Sequence, residues 1–254
     1  MIQSKLAEIV TNIGKNIRIK KHSLVQNGEW HGSQLKTKAD IFAHNLFVEK
    51  LNTLEKIPII SEEDYRTQIF LRPDRYWLID PIDGTRSLVD GYPGWVTQAA
   101  LIENGYPVVS AIYAPDLDQL YTASVGNGAY LNGVKLTSKY DNNNIRLIDN
   151  YAKPHGIAYK VMKDLNCADY IECGSISLKI CKVADNTADL FVKDVFIRDW
   201  DIGAPMLILN ESDGFISNLN GSPIELSGSF EKKGVIASTS KSLIYKVSRL
   251  YGDL

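Results

Sequence analysis

Two carboxylates stand three residues apart at the end of an apolar run, directly before a Gly-Thr pair. The stretch reads Tyr76-Trp77-Leu78-Ile79-Asp80-Pro81-Ile82-Asp83-Gly84-Thr85. Proline fixes one backbone angle and cannot extend a strand ladder, so both carboxylates and the Ile82 carbonyl could converge on one point beyond the strand. Carboxylate and carbonyl oxygens suit hard cations such as Mg²⁺. The stretch therefore predicts a site for a divalent metal ion.

Gly84 and Thr85 add groups that a phosphate needs. A glycine lets the backbone approach a ligand closely. Thr85 offers a hydroxyl and a backbone N–H at the start of a short helix, where anions bind readily. An ordinary Asp-Gly turn with a capping threonine explains the same residues. On this segment alone, both interpretations stay open.

Three further acids stand at a strand end or a helix start. Glu62 ends an apolar strand, Asp201 follows Trp200 and opens an apolar helix, and Asp40 lies in the first turn of another helix. Capping is the default role for Asp40 and for Asp201 taken singly, since carboxylates cap helices and complement their dipoles. The whole set favours a metal centre beside a phosphate-binding turn. The neighbouring acids are expected to be solvated, and they are Glu63, Asp64 and Asp199.

Several other kinds of site fail on spacing. Asp80 and Asp83 do not alternate as the ligands of an EF-hand loop do. A Walker A loop, a dinucleotide-binding glycine pattern and a Gly-x-Ser-x-Gly elbow are all incomplete or absent. The four histidines form no zinc-binding pair. These exclusions leave the oxygen-rich metal site and the ordinary turn with capping acids as the two interpretations.

Composition places the chain among ordinary globular proteins. It has 254 residues, enough for one large domain or two closely packed halves, and a net charge of −2. The absence of a basic block argues against binding a nucleic acid polymer. There is no apolar run for a membrane helix and no apolar signal core at the N-terminus, so we expect a cytoplasmic protein without a membrane span. The three cysteines form no Cys-x-x-Cys pair, which predicts reduced and buried thiols.

The elements that must position these acids alternate along the chain. The main predicted helices cover residues 2–21, 38–54, 156–165, 176–185, about 201–210 and 241–251. The main predicted strands cover residues 76–80, 96–103, 107–114, 120–124, 128–131, 145–150, 170–172, 189–192, 214–217 and 234–237. The asparagine-rich run at 141–144 is the best candidate for a boundary between two halves, 1–141 and 142–254. The mixture of hairpins and crossovers favours a layered mixed α/β protein.

The sequence resembles the inositol monophosphatase family of Mg²⁺-dependent, lithium-sensitive phosphatases. Three segments carry the resemblance, namely Trp77–Thr85, Ser61–Asp64 and Trp200–Ala204. Secondary matches are Asp40, the pair Gly174-Ser175 and the stretch Gly126–Gly133. The matches span nearly the whole chain in the expected order. They imply an α-β-α-β-α sandwich whose two halves form one compact catalytic unit.

The resemblance also implies ligands for two or three Mg²⁺ ions. Glu62, Asp80 and the Ile82 carbonyl would hold one ion. Asp80, Asp83 and Asp201 would hold a second, and Glu62 would also touch a weaker third.

Further implied roles concern the phosphate and the attack on it. Gly84 and Thr85 would bind the phosphate, and Asp40 would pair with Thr85 to polarise it. Together with Glu62, these two side chains would assist a metal-activated water as the nucleophile, with no covalent phosphoenzyme.

The implied substrate is a small phosphorylated metabolite, and two positions point to different ones. The segment Ser61–Asp64 and the lysine at position 179 resemble the corresponding positions of bacterial 3'(2'),5'-bisphosphate nucleotidases. Lys179 could bind the second phosphate of such a substrate. The alternative for Lys179 is an ordinary surface lysine. Asp194 sits where inositol monophosphatases carry an acid that contacts substrate hydroxyls. The resemblance favours hydrolysis of adenosine 3',5'-bisphosphate to AMP, with an inositol monophosphatase as the alternative.

Gly174 and Ser175 are also implied to touch the substrate. In the family, a small residue usually follows the segment that corresponds to Trp200–Ala204, and this chain has Pro205 there. We expect the proline to be tolerated in the first turn of its helix, with a local change in packing. A hypothesis of another class is a family member that binds a nucleotide or a partner without turnover. Because family members are commonly dimers, a homodimer is a further expectation.

Overall fold

Helices and sheets alternate in five layers. The computed structural model describes residues 2–25, 28–31, 34–69, 71–139 and 144–254. The helices of this part of the chain are α1 Ile2–Leu24, α2 Lys38–Leu54, α3 Thr85–Asp90, α4 Gly156–Asp164, α5 Ile176–Ala184, α6 Asp199–Asn210 and α7 Lys241–Tyr251. Its strands are β1 Glu29–His31, β2 Gln34–Lys36, β3 Ile59–Ser61, β4 Arg75–Asp83, β5 Val96–Glu103, β6 Tyr106–Ala114, β7 Gln119–Ser124, β8 Gly128–Leu131, β9 Val134–Lys135, β10 Arg146–Asp149, β11 Asp169–Glu172, β12 Leu190–Arg198, β13 Phe215–Ser217 and β14 Glu231–Ser238.

Two sheets carry most of the strands. The first has seven strands in the order β3-β4-β5-β6-β7-β8-β9, in which only β3 and β4 run parallel. The second has five strands in the order β11-β10-β12-β14-β13, with parallel pairs on both sides of β10. The strands β1 and β2 form a separate hairpin. Consecutive strands of the first sheet are neighbours because short hairpins join antiparallel partners.

Three apolar clusters hold the layers together. Helices α1 and α2 cover one face of the first sheet through residues such as Leu6 and Phe47. Helices α5 and α6 lie between the two sheets, where Leu178 and Ile208 are fully buried. Helices α4 and α7 cover the outer face of the second sheet. The layer order is therefore α-β-α-β-α, which confirms the predicted fold class.

Some predicted elements differ from the structure in their bounds or burial. In α2 the large apolar Ile41 is exposed, and the small Ala39 and Ala43 face the core. Strand β12 continues well beyond residue 192, and β14 starts before residue 234. The extension of β14, Glu231-Lys232-Lys233, is polar and gives no apolar signal, whereas the extension of β12 passes the polar pair Lys193-Asp194 and then includes the buried Ile197.

The candidate boundary falls largely outside the described residues, because only Asn144 of the run 141–144 is described. The division into 1–141 and 142–254 stays a prediction. Cys167, Cys173 and Cys181 are free and buried, as expected. Burial raises the pKa of the Cys167 and Cys173 thiols to about 11, which keeps both protonated and unreactive at neutral pH. None of the helices in the described part of the chain combines the length and apolar character that a membrane span requires.

Candidate metal centre at the end of strand β4

A β-bulge in β4 places Asp80 and Asp83 on one side of the sheet. Asp80 lies opposite Gln98 of β5, whereas Asp83 lies opposite Val96, so β4 carries one extra residue between them. Side chains three apart on a regular strand point to opposite faces, and the extra residue cancels that alternation. Pro81 lies inside the bulge, where no ladder hydrogen bond is needed. The expectation that the strand ends at Asp80 is wrong, because pairing resumes at Asp83.

Three carboxylates converge beside this bulge. One oxygen each from Asp80, Asp83 and Asp201 lies within 4.8 Å of the others. Asp80 and Asp83 are buried at the end of β4, and Asp201 is half-buried in the first turn of α6. An oxygen-only donor set of this kind fits a hard divalent cation such as Mg²⁺.

Glu62 joins the group from the neighbouring strand. The parallel pairing of β3 with β4 sets Ser61 beside Ile79, so the residue that follows β3 emerges near the bulge. The Glu62 carboxyl interacts with that of Asp80, and burial raises the pKa of Glu62 to about 8, with a further contribution from the charge of Glu63. The acid cluster, as we call this group, consists of Glu62, Asp80, Asp83 and Asp201.

The electrostatics of the acid cluster favour binding of a cation. Burial raises the pKa of Asp80 well above its ordinary value, and the charges of Glu62, Asp83 and Asp201 raise it further. Burial and the charges of Asp83 and Glu62 likewise raise the pKa of Asp201. In the described part of the chain, no lysine or arginine forms an ion pair with any of the four side chains. Protons or a bound cation must therefore reduce the repulsion among them.

Asp40 reaches the site from the start of α2. Its Oδ2 accepts hydrogen bonds from the backbone N–H of Thr37 at 2.7 Å and from the Thr37 hydroxyl at 2.9 Å, which forms a capping box. Its Oδ1 accepts a hydrogen bond from Thr85 Oγ1 at 2.9 Å. Burial raises the pKa of Asp40 to about 6, against the lowering effect of the Thr37 N–H. Capping and contact with Thr85 were alternatives in the sequence, and one carboxylate makes both contacts.

Gly84 and Thr85 form the turn between β4 and α3. Gly84 has φ of 88°, a left-handed conformation, and a Cβ there would lie 3.1 Å from the Cβ of Ser175. The Thr85 hydroxyl also lies 3.2 Å from the Ile82 carbonyl oxygen. The predicted phosphate-binding residues thus stand next to the acid cluster.

Gly174 and Ser175 lie across from this turn and have clear packing roles. A Cβ on Gly174 would lie 2.4 Å from the Gly94 carbonyl oxygen, so only glycine allows this approach. The backbone N–H of Ser175 donates to the same carbonyl at 2.7 Å. Its hydroxyl accepts a hydrogen bond from the Leu178 N–H and caps α5. Contact of either residue with a substrate stays a prediction.

Lys179 is almost fully buried, so the alternative of a surface lysine is wrong. Its Nζ donates to the Gly174 carbonyl oxygen at 3.0 Å and lies 3.9 Å from Asp149 Oδ1. Burial lowers the pKa of Lys179 to about 8, while the charges of Asp149 and Asp83 oppose that shift.

Asp194 is exposed and lies in the irregular part of β12.

Three expectations about neighbouring residues are wrong. Asp199 is fully buried and paired with Arg72 and Lys232, because α6 starts at Asp199 and turns this side chain inward. The Glu63 side chain is mostly buried and bonded to Lys36 Nζ at 3.0 Å. Since α6 starts at Asp199, Pro205 lies in its second turn and not in the first.

Reasoning from the sequence missed the residues that hold the acids in place. The backbone N–H of Ser177 donates to Asp83 Oδ2 at 2.7 Å, and the backbone N–H of Arg198 donates to Asp201 Oδ2 at 2.7 Å. Both donors are at helix starts, where N–H groups lack partners within the helix. The helix starts were visible in the sequence, but their proximity to the acids was not.

Comparisons with known proteins agree with this fold. A family model described as the inositol monophosphatase family matches residues 2–251. A 3'(2'),5'-bisphosphate nucleotidase CysQ from Aggregatibacter actinomycetemcomitans is 33% identical over 200 residues, which cover 74% of this chain and 73% of the relative. Inositol monophosphatase 3 of Solanum lycopersicum is 30% identical over 166 residues, which cover 59% of this chain and 60% of the relative. An IMPase structure from Thermotoga maritima has a TM-score of 0.81 at 24% identity and covers 96% of this chain and 95% of that one, which bears on the fold alone.

Proposed function

We propose, from the premise that this chain belongs to the inositol monophosphatase family, that it hydrolyses a phosphate monoester of a small metabolite in a Mg²⁺-dependent reaction. The family model and the relatives carry the names of phosphatases, which are hydrolases of phosphate monoesters, and this confirms the predicted class of enzyme. The substrate, the metal and the roles of the residues belong to the proposal.

The observation that carries the proposal is the convergence of Asp80, Asp83 and Asp201 beside the turn at Gly84. Together with Glu62 and the Ile82 carbonyl, these carboxylates would hold two or three Mg²⁺ ions. When bound, the ions supply Lewis acidity that stabilises charge on the phosphate oxygens and lowers the pKa of water. No protein cation lies within ion-pair distance of these acids in the described residues, which supports a role for an external cation.

Thr85 and Asp40 would move the proton of the attacking water. The Thr85 hydroxyl donates its proton towards Asp40 Oδ1, which leaves its oxygen able to accept a hydrogen bond from water. With a pKa of about 6, Asp40 is mostly ionised at neutral pH and can accept that hydrogen bond. A general base with a pKa near the working pH suits such a transfer. The backbone N–H groups at Gly84 and Thr85 would bind the phosphate.

The substrate that we favour is adenosine 3',5'-bisphosphate, which would be converted to AMP. The similarity to a bisphosphate nucleotidase extends over three quarters of the chain and is higher than that to the tomato inositol monophosphatase. Lys179 supplies a cation about one helical turn from the predicted substrate-binding Ser175. Inositol 1-phosphate is the second candidate, since Asp194 corresponds to an acid that contacts substrate hydroxyls in inositol monophosphatases and its side chain is exposed.

Phosphate release from three substrates tests this proposal. Adenosine 3',5'-bisphosphate, inositol 1-phosphate and fructose 1,6-bisphosphate are compared with Mg²⁺, with EDTA, and with Mg²⁺ plus lithium. We expect Mg²⁺-dependent release that EDTA abolishes and lithium reduces, with the highest kcat/KM for the nucleotide. If none of these substrates or of a broader ester panel releases phosphate with Mg²⁺ supplied, the proposed activity is wrong, and a non-catalytic binding role is favoured.

A further inference from the structure

Pro205 leaves a carbonyl without its helical donor directly at the acid cluster. In α6 the carbonyl of Asp201 would normally accept a hydrogen bond from the backbone N–H four residues later. That residue is Pro205, which has no N–H. The backbone of a predicted metal ligand therefore lacks its ordinary support in the first turn of a buried helix.

Ser177 of α5 fills this gap. Its Oγ donates to the Asp201 carbonyl oxygen at 2.8 Å, and the side chain is fully buried. Its backbone N–H donates to Asp83 Oδ2 at 2.7 Å. One residue thus binds the backbone of one acid from α6 and the carboxylate of another acid from β4.

Gln98 of β5 fixes the direction in which the Ser177 hydroxyl points. The Gln98 amide donates to Ser177 Oγ at 2.6 Å and to the Trp200 carbonyl oxygen at 2.9 Å. Because the amide occupies one side of Oγ as a donor, the hydroxyl proton is left to point at the Asp201 carbonyl. Gln98 also lies opposite Asp80 in the sheet, so the same strand pair supports both contacts.

We propose that Ser177 is a positioning residue that sets the spacing between Asp83 and Asp201, and thereby the affinity of the acid cluster for a divalent cation. The inference depends on the proposed function only in that the cluster binds a cation; it does not depend on the substrate. Ser177 contacts neither the expected metal nor the phosphate, and acts through the two acids.

Removal of the Ser177 hydroxyl tests the proposal. Ser177→Ala leaves the Asp201 carbonyl buried without a donor, so the start of α6 shifts to find one. Loss of a hydrogen bond that orients a metal ligand typically lowers metal affinity about 10- to 100-fold, and we expect a loss in that range. The affinity is measured on the full chain by terbium luminescence and by calorimetry with Mg²⁺ alone.

Pro205 provides a rescue that a general packing defect would not show. Pro205→Ala restores a backbone N–H that can donate to the Asp201 carbonyl. We expect Pro205→Ala alone to bind the cation as the wild type does, and Ser177→Ala/Pro205→Ala to regain most of the lost affinity. Such coupling between two sites is what a double-mutant cycle measures. No recovery in the double variant would overturn the proposal.

Ser212 offers a matched control at the other end of α6. Its buried hydroxyl donates to the Leu209 carbonyl oxygen at 2.8 Å. Ser212→Ala removes a similar hydrogen bond away from the acids and should lower Tm without changing cation affinity. If Ser177→Ala also lowers Tm but binds Tb³⁺ and Mg²⁺ as tightly as Ser212→Ala, Ser177 is only structural and the proposal is wrong.

Ser177→Cys keeps the size of the side chain and weakens its donor, so it carries the test if Ser177→Ala does not fold. Its cation affinity should fall as well, and an unchanged affinity would count against the proposal. In phosphate release, the Mg²⁺ concentration for half-maximal rate should rise while KM for the substrate stays constant. If the wild type binds the cations but hydrolyses nothing, the proposed function fails, and the binding pattern of the variants still decides the role of Ser177.

Discussion

Asp199 and Asp201 stand two residues apart in the first turn of α6 and have opposite electrostatic surroundings. Asp199 is fully buried and forms ion pairs with Arg72 and with Lys232. Asp201 faces the other acids of the acid cluster. Burial raises the pKa of both. Arg72 and Lys232 oppose the pKa shift at Asp199, whereas at Asp201 the charges of Asp83 and Glu62 add to it and outweigh the opposing effect of Arg198.

The difference separates a structural carboxylate from one suited to an external cation. A buried charge needs a partner, because its desolvation is otherwise too costly. For Asp199 the chain itself supplies the partners, and we call Arg72, Asp199 and Lys232 the paired cluster. For the acid cluster, the described residues supply helix-start N–H groups but no ion-paired cation. Burial of an acid is thus weak evidence for a metal site, and the absence of an ion-paired lysine or arginine among the described residues is the stronger evidence.

The largest effect is expected from neutralising one member of the acid cluster. Asp83→Asn should abolish Mg²⁺-dependent phosphate release, a loss greater than the roughly 100-fold that an outer hydrogen-bond partner of a ligand can cost. Because the change removes repulsion among buried acids, the metal-free protein should keep its Tm or gain a few degrees. Phosphate release and thermal unfolding measure the two effects, with the exposed Asp253→Asn as a control. Full activity in Asp83→Asn would show that the site is assigned wrongly.

The same Asp-to-Asn substitution in the paired cluster should lower the stability of the fold and leave the binding of Mg²⁺ intact. Asp199→Asn leaves the buried Arg72 without its carboxylate, and breaking a buried ion pair costs about 3 kcal/mol or more in the free energy of unfolding. Urea denaturation measures the loss. Mg²⁺ should still raise the Tm of Asp199→Asn as it does that of the wild type, since the acid cluster stays intact.

Arg72→Met serves as the control for this interpretation. The double variant Asp199→Asn/Arg72→Met removes the charges of Asp199 and Arg72 and leaves Lys232 bonded to two backbone carbonyls, so it should be more stable than Asp199→Asn alone. A double variant that is less stable than either single one would mean that packing of Arg72 on Phe230 matters more than the charge pair.

The contrast between the two aspartates also shows what the sequence could and could not predict. The acids of β4, the Gly84 turn and the bounds of α2 follow from local patterns, and the structure agrees with them. The partners of Asp199 come from a loop before β4 and from β14. Its burial therefore depends on tertiary contacts that no local pattern contains.

The error at Pro205 has a similar cause. The start of α6 was expected at Asp201, but the Arg198 N–H and the inward-facing Asp199 move it two residues earlier. Boundaries shift by one or two residues when tertiary contacts favour another cap. The earlier start places Pro205 in the second turn, where its missing N–H leaves the Asp201 carbonyl to the Ser177 hydroxyl.

Lys179 is intermediate between the two clusters, and its removal should have a moderate effect. The folded-state pKa of about 8 lies below the ordinary 10.5, so the unfolded chain holds the proton more strongly. The wild type should therefore gain stability relative to Lys179→Met as the pH rises from about 8 to 10. Thermal unfolding of both proteins across this range measures the difference. A gap between the two that does not change with pH would mean that Lys179 keeps an ordinary pKa.

The same variant tests substrate recognition. If Lys179 meets the second phosphate of a nucleotide, Lys179→Met should raise KM for adenosine 3',5'-bisphosphate about 10-fold, the value of one hydrogen bond to a charged group. KM for inositol 1-phosphate should not change. Equal effects on both substrates would place the role of Lys179 in packing beneath Gly174.

The smallest effect is expected at Asp194, an exposed acid in the irregular part of β12. Asp194→Asn changes no buried contact, so the free energy of unfolding should stay within about 0.5 kcal/mol of the wild type. A several-fold rise in KM for inositol 1-phosphate alone would identify Asp194 as a hydroxyl-binding residue. An unchanged KM for all three substrates would exclude that role. Since Asp194 is exposed and Lys179 is buried, the two variants together separate a substrate contact made at the surface from one that requires the charge beneath the site.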